Sequence, residues 1–109
     1  MYIHSQKVEG LLVDAQTRCR HYSSDKDVIA IKFPCCDTYF PCFMCHHSYA
    51  DHAPTVWKRE QFHTKAILCG VCGFELTIRQ YFDCDSKCPK CQSGFNPGCQ
   101  NHYHLYFET

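Results

Sequence analysis

Apolar positions come in short runs along this chain, and the runs set the elements. Residues 1–18 hold one small apolar segment, Leu11-Leu12-Val13, and no cysteine before Cys19, which predicts an N-terminal arm or strand. From Asp27, the run Val28-Ile29-Ala30-Ile31-Lys32-Phe33 is β-branched and aromatic and stops at Pro34. It predicts a strand that enters the Cys35-Cys36 turn directly. Beyond Pro41, the positions Cys42, Cys45, His46, Tyr49 and His52 recur at spacings of three and four, so a short helix would set several on one side. The stretch from His47 to Gln61 has Pro54 and Trp57 but little periodicity, and predicts a connector with a sub-domain boundary near residues 53–62. Thr64 to Leu68 predicts a strand, Glu75 to Phe82 a short helix or strand, and Leu105-Tyr106-Phe107 a closing strand.

No apolar run approaches the roughly 20 residues a membrane helix needs, so no membrane is expected. A chain of 109 residues is one small domain or two minidomains sharing an interface, and it buries too little surface to rely on apolar packing alone. Staples are expected, and the eleven cysteines and eight histidines supply the chemistry for them. An odd number of cysteines, and an N-terminus Met1-Tyr2-Ile3-His4-Ser5-Gln6-Lys7 without the pattern of a signal peptide, point to a reducing cytoplasm and metal-held thiolates rather than disulfides.

Structural zinc takes thiolate and imidazole in a closed tetrahedron, and its ligands commonly arrive in pairs, because one tight turn presents two side chains to one ion. Cys69-Gly70-Val71-Cys72-Gly73 and Cys88-Pro89-Lys90-Cys91 are two C-x-x-C knuckles with fifteen residues between them, the arrangement of a four-cysteine site. Gly73 lets the backbone turn with its amides toward sulfur. A dithiol redox motif would instead be one C-x-x-C beside a βαβ pattern, which is absent. The other pairs are Cys19 with His21, Cys35 with Cys36, Cys42 with Cys45, and His46 with His52. Neighbouring side chains diverge by about 100° on a helix, so Cys45 and His46 should serve different ions. One division is Cys19, His21, Cys42 and Cys45 on one zinc, and Cys35, Cys36, His46 and His52 on the other. A swap involving the adjacent Cys35 and Cys36 remains open. Cys84, Cys99, His102 and His104 could hold a fourth ion. The simpler reading makes Cys99 a small buried apolar residue and the histidines hydrogen-bonding groups. His4, His47 and His63 have no partner nearby in sequence and are read as unrelated to metal.

The string Cys19-Arg20-His21-Tyr22, then Pro34-Cys35-Cys36-Asp37, Cys42-x-x-Cys45-His46, His52 and both knuckles, resembles the CHY zinc finger family over residues 19 to 91. The family occurs at the N-terminus of ubiquitin ligases that carry a RING finger and as small stand-alone proteins. This chain is similar to the stand-alone type, including Gly94-Phe95-Asn96-Pro97-Gly98-Cys99 and the tail His102 to Phe107. The resemblance implies three zinc ions on the twelve positions already reached by pairing. The fold expected is a small metal-stabilised α+β, an irregular zinc-knuckle domain with short strands and one or two short helices. Its parts are an arm over 1–18, a CHY-type domain over 19–104 with halves 19–52 and 64–104, and a tail over 105–109.

Function is expected to lie in protein interaction, with Tyr39, Phe40 and Trp57 as an exposed aromatic surface. An enzyme is not expected, since no H-E-x-x-H or open three-ligand site with a general base is present. Eleven basic and eleven acidic residues are balanced, without a basic run. Nine thiolates against the six positive charges of three Zn²⁺ would leave about three net negative charges, so nucleic acid is not an expected partner. The alternative function is a zinc-handling or thiol-protecting assembly factor that exchanges zinc with client proteins. With it goes an alternative compartment, the mitochondrial intermembrane space of a eukaryote.

Overall fold

The computed structural model describes residues 2–108 and, within them, every side chain except those of Cys99 and Gln100. The N-terminal arm is a hairpin of β1 (Tyr2–Ile3) and β2 (Gln6–Lys7), with Ile3 opposite Gln6. His4 and Ser5 turn it with φ of 50° and 68°. Two consecutive left-handed residues make the type I′ turn whose twist suits a hairpin. The usual Asn-Gly signal is missing there, so the sequence shows only an arm. Leu11-Leu12-Val13 builds no strand: Leu12 makes a single bridge to Cys19, and Leu11 and Val13 are exposed.

The apolar runs build a four-stranded antiparallel sheet from β3 (Ile29–Phe33), β4 (Thr38–Phe40), β5 (Lys65–Cys69) and β6 (Glu75–Thr77), in the order β4-β3-β5-β6. After Pro34, Asp37 at φ 53° returns the chain into β4 and leaves Cys35 and Cys36 at the tip of the turn. Along β3, Ile29, Ile31 and Phe33 enter the main core, while Ala30 packs on the other face with Ile3, Val8, Tyr39 and Leu68 under the hairpin. Period-two alternation thus buries both faces of one short strand. A register shift between Lys65 and Ile67 puts Ala66 and Ile67 in the same core. Because Ile29 of β3 pairs with Cys69 of β5, one sheet runs through both cysteine-bearing halves.

Helix α1 (Phe43–Tyr49) lies where the spacing of three and four places it, and His52 falls beyond its end. The stretch from Glu75 is both of the alternatives in turn, β6 and then α2 (Ile78–Asp83), joined by a capping box at Thr77 and Gln80. Leu105-Tyr106-Phe107 is not a closing strand. Leu105 ends a 3₁₀ segment, Pro97–Leu105, and Phe107 makes one bridge to Trp57. The reason is that Tyr106 and Phe107 are both buried, as anchors in an aromatic cluster rather than as alternating strand positions.

The expected aromatic surface is also corrected. Tyr39, Phe40 and Trp57 are 2%, 2% and 6% exposed. Each ring has a burial partner on another element: the Tyr39 hydroxyl donates to Glu75 at 2.7 Å, Phe40 meets Phe33 edge-on, and the Trp57 indole donates to the Lys32 carbonyl at 2.6 Å. Burial and the Glu75 carboxylate push the Tyr39 phenol well above its usual range, so it stays a donor. Tyr39→Phe is expected to lower stability by about 1.5 kcal/mol, as for a hydrogen bond to a charged group, readable in a urea melt of the zinc-loaded protein.

Candidate metal centres

Three groups of four donors gather in the structure, with the ligand atoms of each group within 4.8 Å of one another. The first is Cys19, His21, Cys42 and Cys45. Cys42 is the N-cap of α1 and its sulfur accepts the Cys45 amide at 3.4 Å, so one helix start presents both thiols. The Leu12 bridge and the bond from the Arg20 amide to the Leu11 carbonyl bring Cys19 and His21 against them.

The second group is Cys35, Cys36, His46 and His52. The β3–β4 turn offers the two thiols, α1 offers His46, and the loop after it offers His52. Cys45 and His46 are consecutive and face different groups, as helical rotation requires. His46 aims Nε2 at Cys35 and Cys36 from 3.4 and 3.9 Å. Its Nδ1 is buried without a hydrogen-bond partner, so packing orients the ring: Phe33 stacks on it at 4.2 Å and Phe40 meets it edge-on at 4.9 Å. His52 bonds Asp51 through Nδ1 at 3.1 Å, leaving Nε2 for the thiols.

The third group is Cys69, Cys72, Cys88 and Cys91. Cys69 ends β5, and Gly73 at φ 81° closes the first knuckle with its amide on the Cys69 carbonyl. The Cys88 carbonyl accepts the Gln92 amide at 2.8 Å, which closes the second.

Donor chemistry and spacing fit zinc. A tetrahedron with Zn–S bonds of about 2.3 Å and Zn–N bonds of about 2.0 Å has S···S edges of about 3.8 Å and S···N edges of about 3.5 Å. The observed S···S separations are 3.6 Å for Cys19 to Cys42, 3.9 Å for Cys35 to Cys36, 3.8 Å for Cys69 to Cys91 and 3.7 Å for Cys72 to Cys88. His21 Nδ1 lies 3.5 Å from both Cys42 and Cys45. The three clusters are thus consistent with three zinc ions. The ion would neutralise sulfurs otherwise too close to ionise together.

That crowding shows in the thiols' acidity. Hydrogen bonds from the thiols of Cys42 and Cys45 pull Cys19 far down, and the same contacts push Cys42 far up. Burial and the Cys35 charge raise Cys36, and burial raises Cys69. Burial also opposes ionisation at Cys91, but the hydroxyl and amide of Ser93 outweigh it and draw Cys91 down to about 6. Metal entry must therefore expel protons. The metal-loaded folded state binds fewer protons than the metal-free unfolded chain, so stability rises with pH. Zinc is expected to leave progressively as pH falls, because protons compete with the ion for the thiolates and imidazoles, and native mass spectrometry across a pH series would follow the loss.

Among the described residues, Cys84, His102 and His104 join no group of metal-sized spacing. Cys84 is the C-cap of α2 and its thiol donates to the Tyr81 carbonyl at 3.1 Å, His102 lies beside the Tyr22 ring, and His104 is exposed. The Cys99 side chain falls outside the described residues. His47 and His63 are exposed. His4 differs, since its Nε2 bonds the Gly70 carbonyl inside the first knuckle at 2.9 Å. Sequence reasoning missed it because the partners are 66 positions apart.

Comparison with known proteins agrees with this geometry. The family model described as CHY zinc finger matches residues 19–103. Helper of Tim protein 13 of Saccharomyces cerevisiae is 46% identical over 105 residues, covering 94% of this chain and 90% of that protein. The Kluyveromyces lactis protein of the same name is 39% identical over 101 residues, covering 93% and 88%. An uncharacterized Schizosaccharomyces pombe protein is 39% identical over 104 residues, covering 95% and 91%.

Proposed function

The chain belongs to the CHY zinc finger family, and from that membership we propose that it is a zinc-stabilised protein-interaction module whose partner is a Tim protein. The observation that carries this reading is that each cluster is complete with four protein donors. A catalytic zinc keeps a position open for water or substrate, whereas a closed site organises the surface around it. In this reading the chain performs no catalysis. The relatives named Helper of Tim protein 13 supply the partner class. Such a partner favours the mitochondrial intermembrane space over the cytoplasm. No helix among the described residues is long and apolar enough to cross a membrane.

The buried Tyr39, Phe40 and Trp57 leave other side chains to make the contact. Tyr22, Met44 and Tyr49 are exposed, the last two on α1. The test is titration calorimetry of the zinc-loaded chain against purified Tim proteins. Binding that needs zinc and weakens at least tenfold in Met44→Ser/Tyr49→Ser supports the reading. Equal binding by the metal-free chain, or none to any Tim protein, would overturn it.

A second reading, zinc handover to client thiols, is supported by one feature of all three clusters: each places one donor at the surface, namely His21, His52 and Cys91. An incoming thiolate could displace such a donor first. Competition with a graded series of chelators separates the readings, since handover requires one ion to leave far more readily than the others.

A further inference from the structure

We propose that His4 is a positioning residue for the four-cysteine site: from the tip of the N-terminal hairpin it sets the Gly70–Val71 peptide so that the Val71 amide points at the Cys69 sulfur. The proposal concerns residues ahead of the family match, which begins at residue 19. It depends on metal in the cluster and not on the Tim reading.

The carbonyl of Gly70 and the amide of Val71 belong to one planar trans peptide, in which C=O and N–H point opposite ways. A donor that holds the oxygen therefore aims the hydrogen. His4 Nε2 lies 2.9 Å from that oxygen. A carbonyl only accepts, so Nε2 carries the proton in this contact. Burial raises the Cys69 thiol, and against it hydrogen bonds from the backbone amides of Cys72 and Val71, on the other side of the peptide, favour the thiolate. The bond from His4 also polarises the peptide, which strengthens the N–H···S contact.

The hairpin is built to deliver the ring there. Ile3 and Val8 are buried against Ala30, Tyr39 and Leu68. The Gln6 carboxamide donates to Glu75 at 3.1 Å, and Glu75 also accepts from Tyr39 at 2.7 Å. His4 itself sits at φ 50°, a left-handed conformation that the docked hairpin sustains. Gly73 makes the room: a Cβ there would fall 2.6 Å from His4 Cβ and 2.8 Å from Cγ. The knuckle glycine thus serves two ends, its own positive φ and the approach of a ring from the far end of the chain.

Partners that orient metal ligands typically change metal affinity by about 10- to 100-fold when removed. The experiment uses the full chain with His4→Phe, which keeps a ring and removes the donor, and His4→Gln, whose amide N–H can replace Nε2–H. Zinc release to a chelator is followed by alkylation mapping, which identifies the cysteines freed. Nuclear magnetic resonance follows the Val71 amide proton and ¹¹³Cd in the cadmium-substituted protein. In His4→Phe we expect release from Cys69, Cys72, Cys88 and Cys91 about tenfold faster, with shifts of the Val71 proton and the four-sulfur ¹¹³Cd resonance. The other two clusters should keep their rates, and His4→Gln should restore rate and shifts. Unchanged release and shifts, equal loosening of all three clusters, or failure of His4→Gln to restore them would each overturn the proposal. The unmodified protein offers an independent check, because a His4 ring whose Nε2 carries no proton in ¹⁵N spectra would also overturn it.

Discussion

Replacing Cys72 by serine is expected to destroy the cooperative fold of both halves, not of the second half alone. Cys72 shares a cluster with Cys69, Cys88 and Cys91, and Cys69 is the last residue of β5. That strand is internal in the sheet and pairs with β3, from whose far end the Cys35-Cys36 turn leaves. A structural zinc site contributes on the order of 10 kcal/mol. A domain of this size has about 5–15 kcal/mol of net stability in total. Loss of one ion therefore removes most of the margin, and the sheet passes the loss to the neighbouring clusters. Far-UV circular dichroism should show no sigmoidal melt, and native mass spectrometry should show depletion of all three ions. Removing zinc from the unmodified chain with a strong chelator should give the same spectrum. A variant that melts cooperatively with full metal content would sink the assignment of Cys72 as a ligand.

Trp57→Ala is expected to cost about 3–5 kcal/mol, the range for truncating a large buried aromatic. Trp57 lies in the connector between the halves and is 6% exposed. Its indole donates to the Lys32 carbonyl at 2.6 Å, its amide donates to the Tyr106 carbonyl at 2.9 Å, and its carbonyl accepts from the Glu108 amide at 2.8 Å. Truncation leaves a cavity and strands the Lys32 carbonyl, while the backbone bonds can persist. The cost should appear as a lower urea midpoint with all three zinc ions retained. Trp57→Phe should recover the packing part but not the hydrogen bond, and so fall between the two. A midpoint within error of the unmodified protein would mean that the connector is not part of the core.

The two variants probe parts of the fold that were unequally visible beforehand. Cys72 announces itself through a four-residue spacing. Trp57 does not, because its neighbours Val56 and Lys58 are exposed and no periodicity marks a buried face. Tyr39 and Phe40 mislead in the same way. They follow one another on β4, so a half-solvated sheet would expose one of them. The hairpin covers one face of this sheet and the helical core the other, so both rings are enclosed.

The local sequence determined much of what a few residues of backbone can enforce. Strand β3 follows from a β-branched run before proline, α1 from spacings of three and four, and the ligand pairs from turns and a helix start that bring two donors together. Each of these involves neighbours whose separation the backbone dihedrals dictate. Helix rotation at Cys45 and His46 also suggested how the first-half pairs divide, and only the tertiary structure decided the swap left open at Cys35 and Cys36, which aromatics are covered and what His4 touches. Those contacts close long loops: Cys19 and Cys42 are 23 positions apart in sequence, and His4 and Gly70 are 66 apart. Closure over such distances is decided by the packing of the whole sheet and its two covered faces, and no short stretch of sequence encodes it.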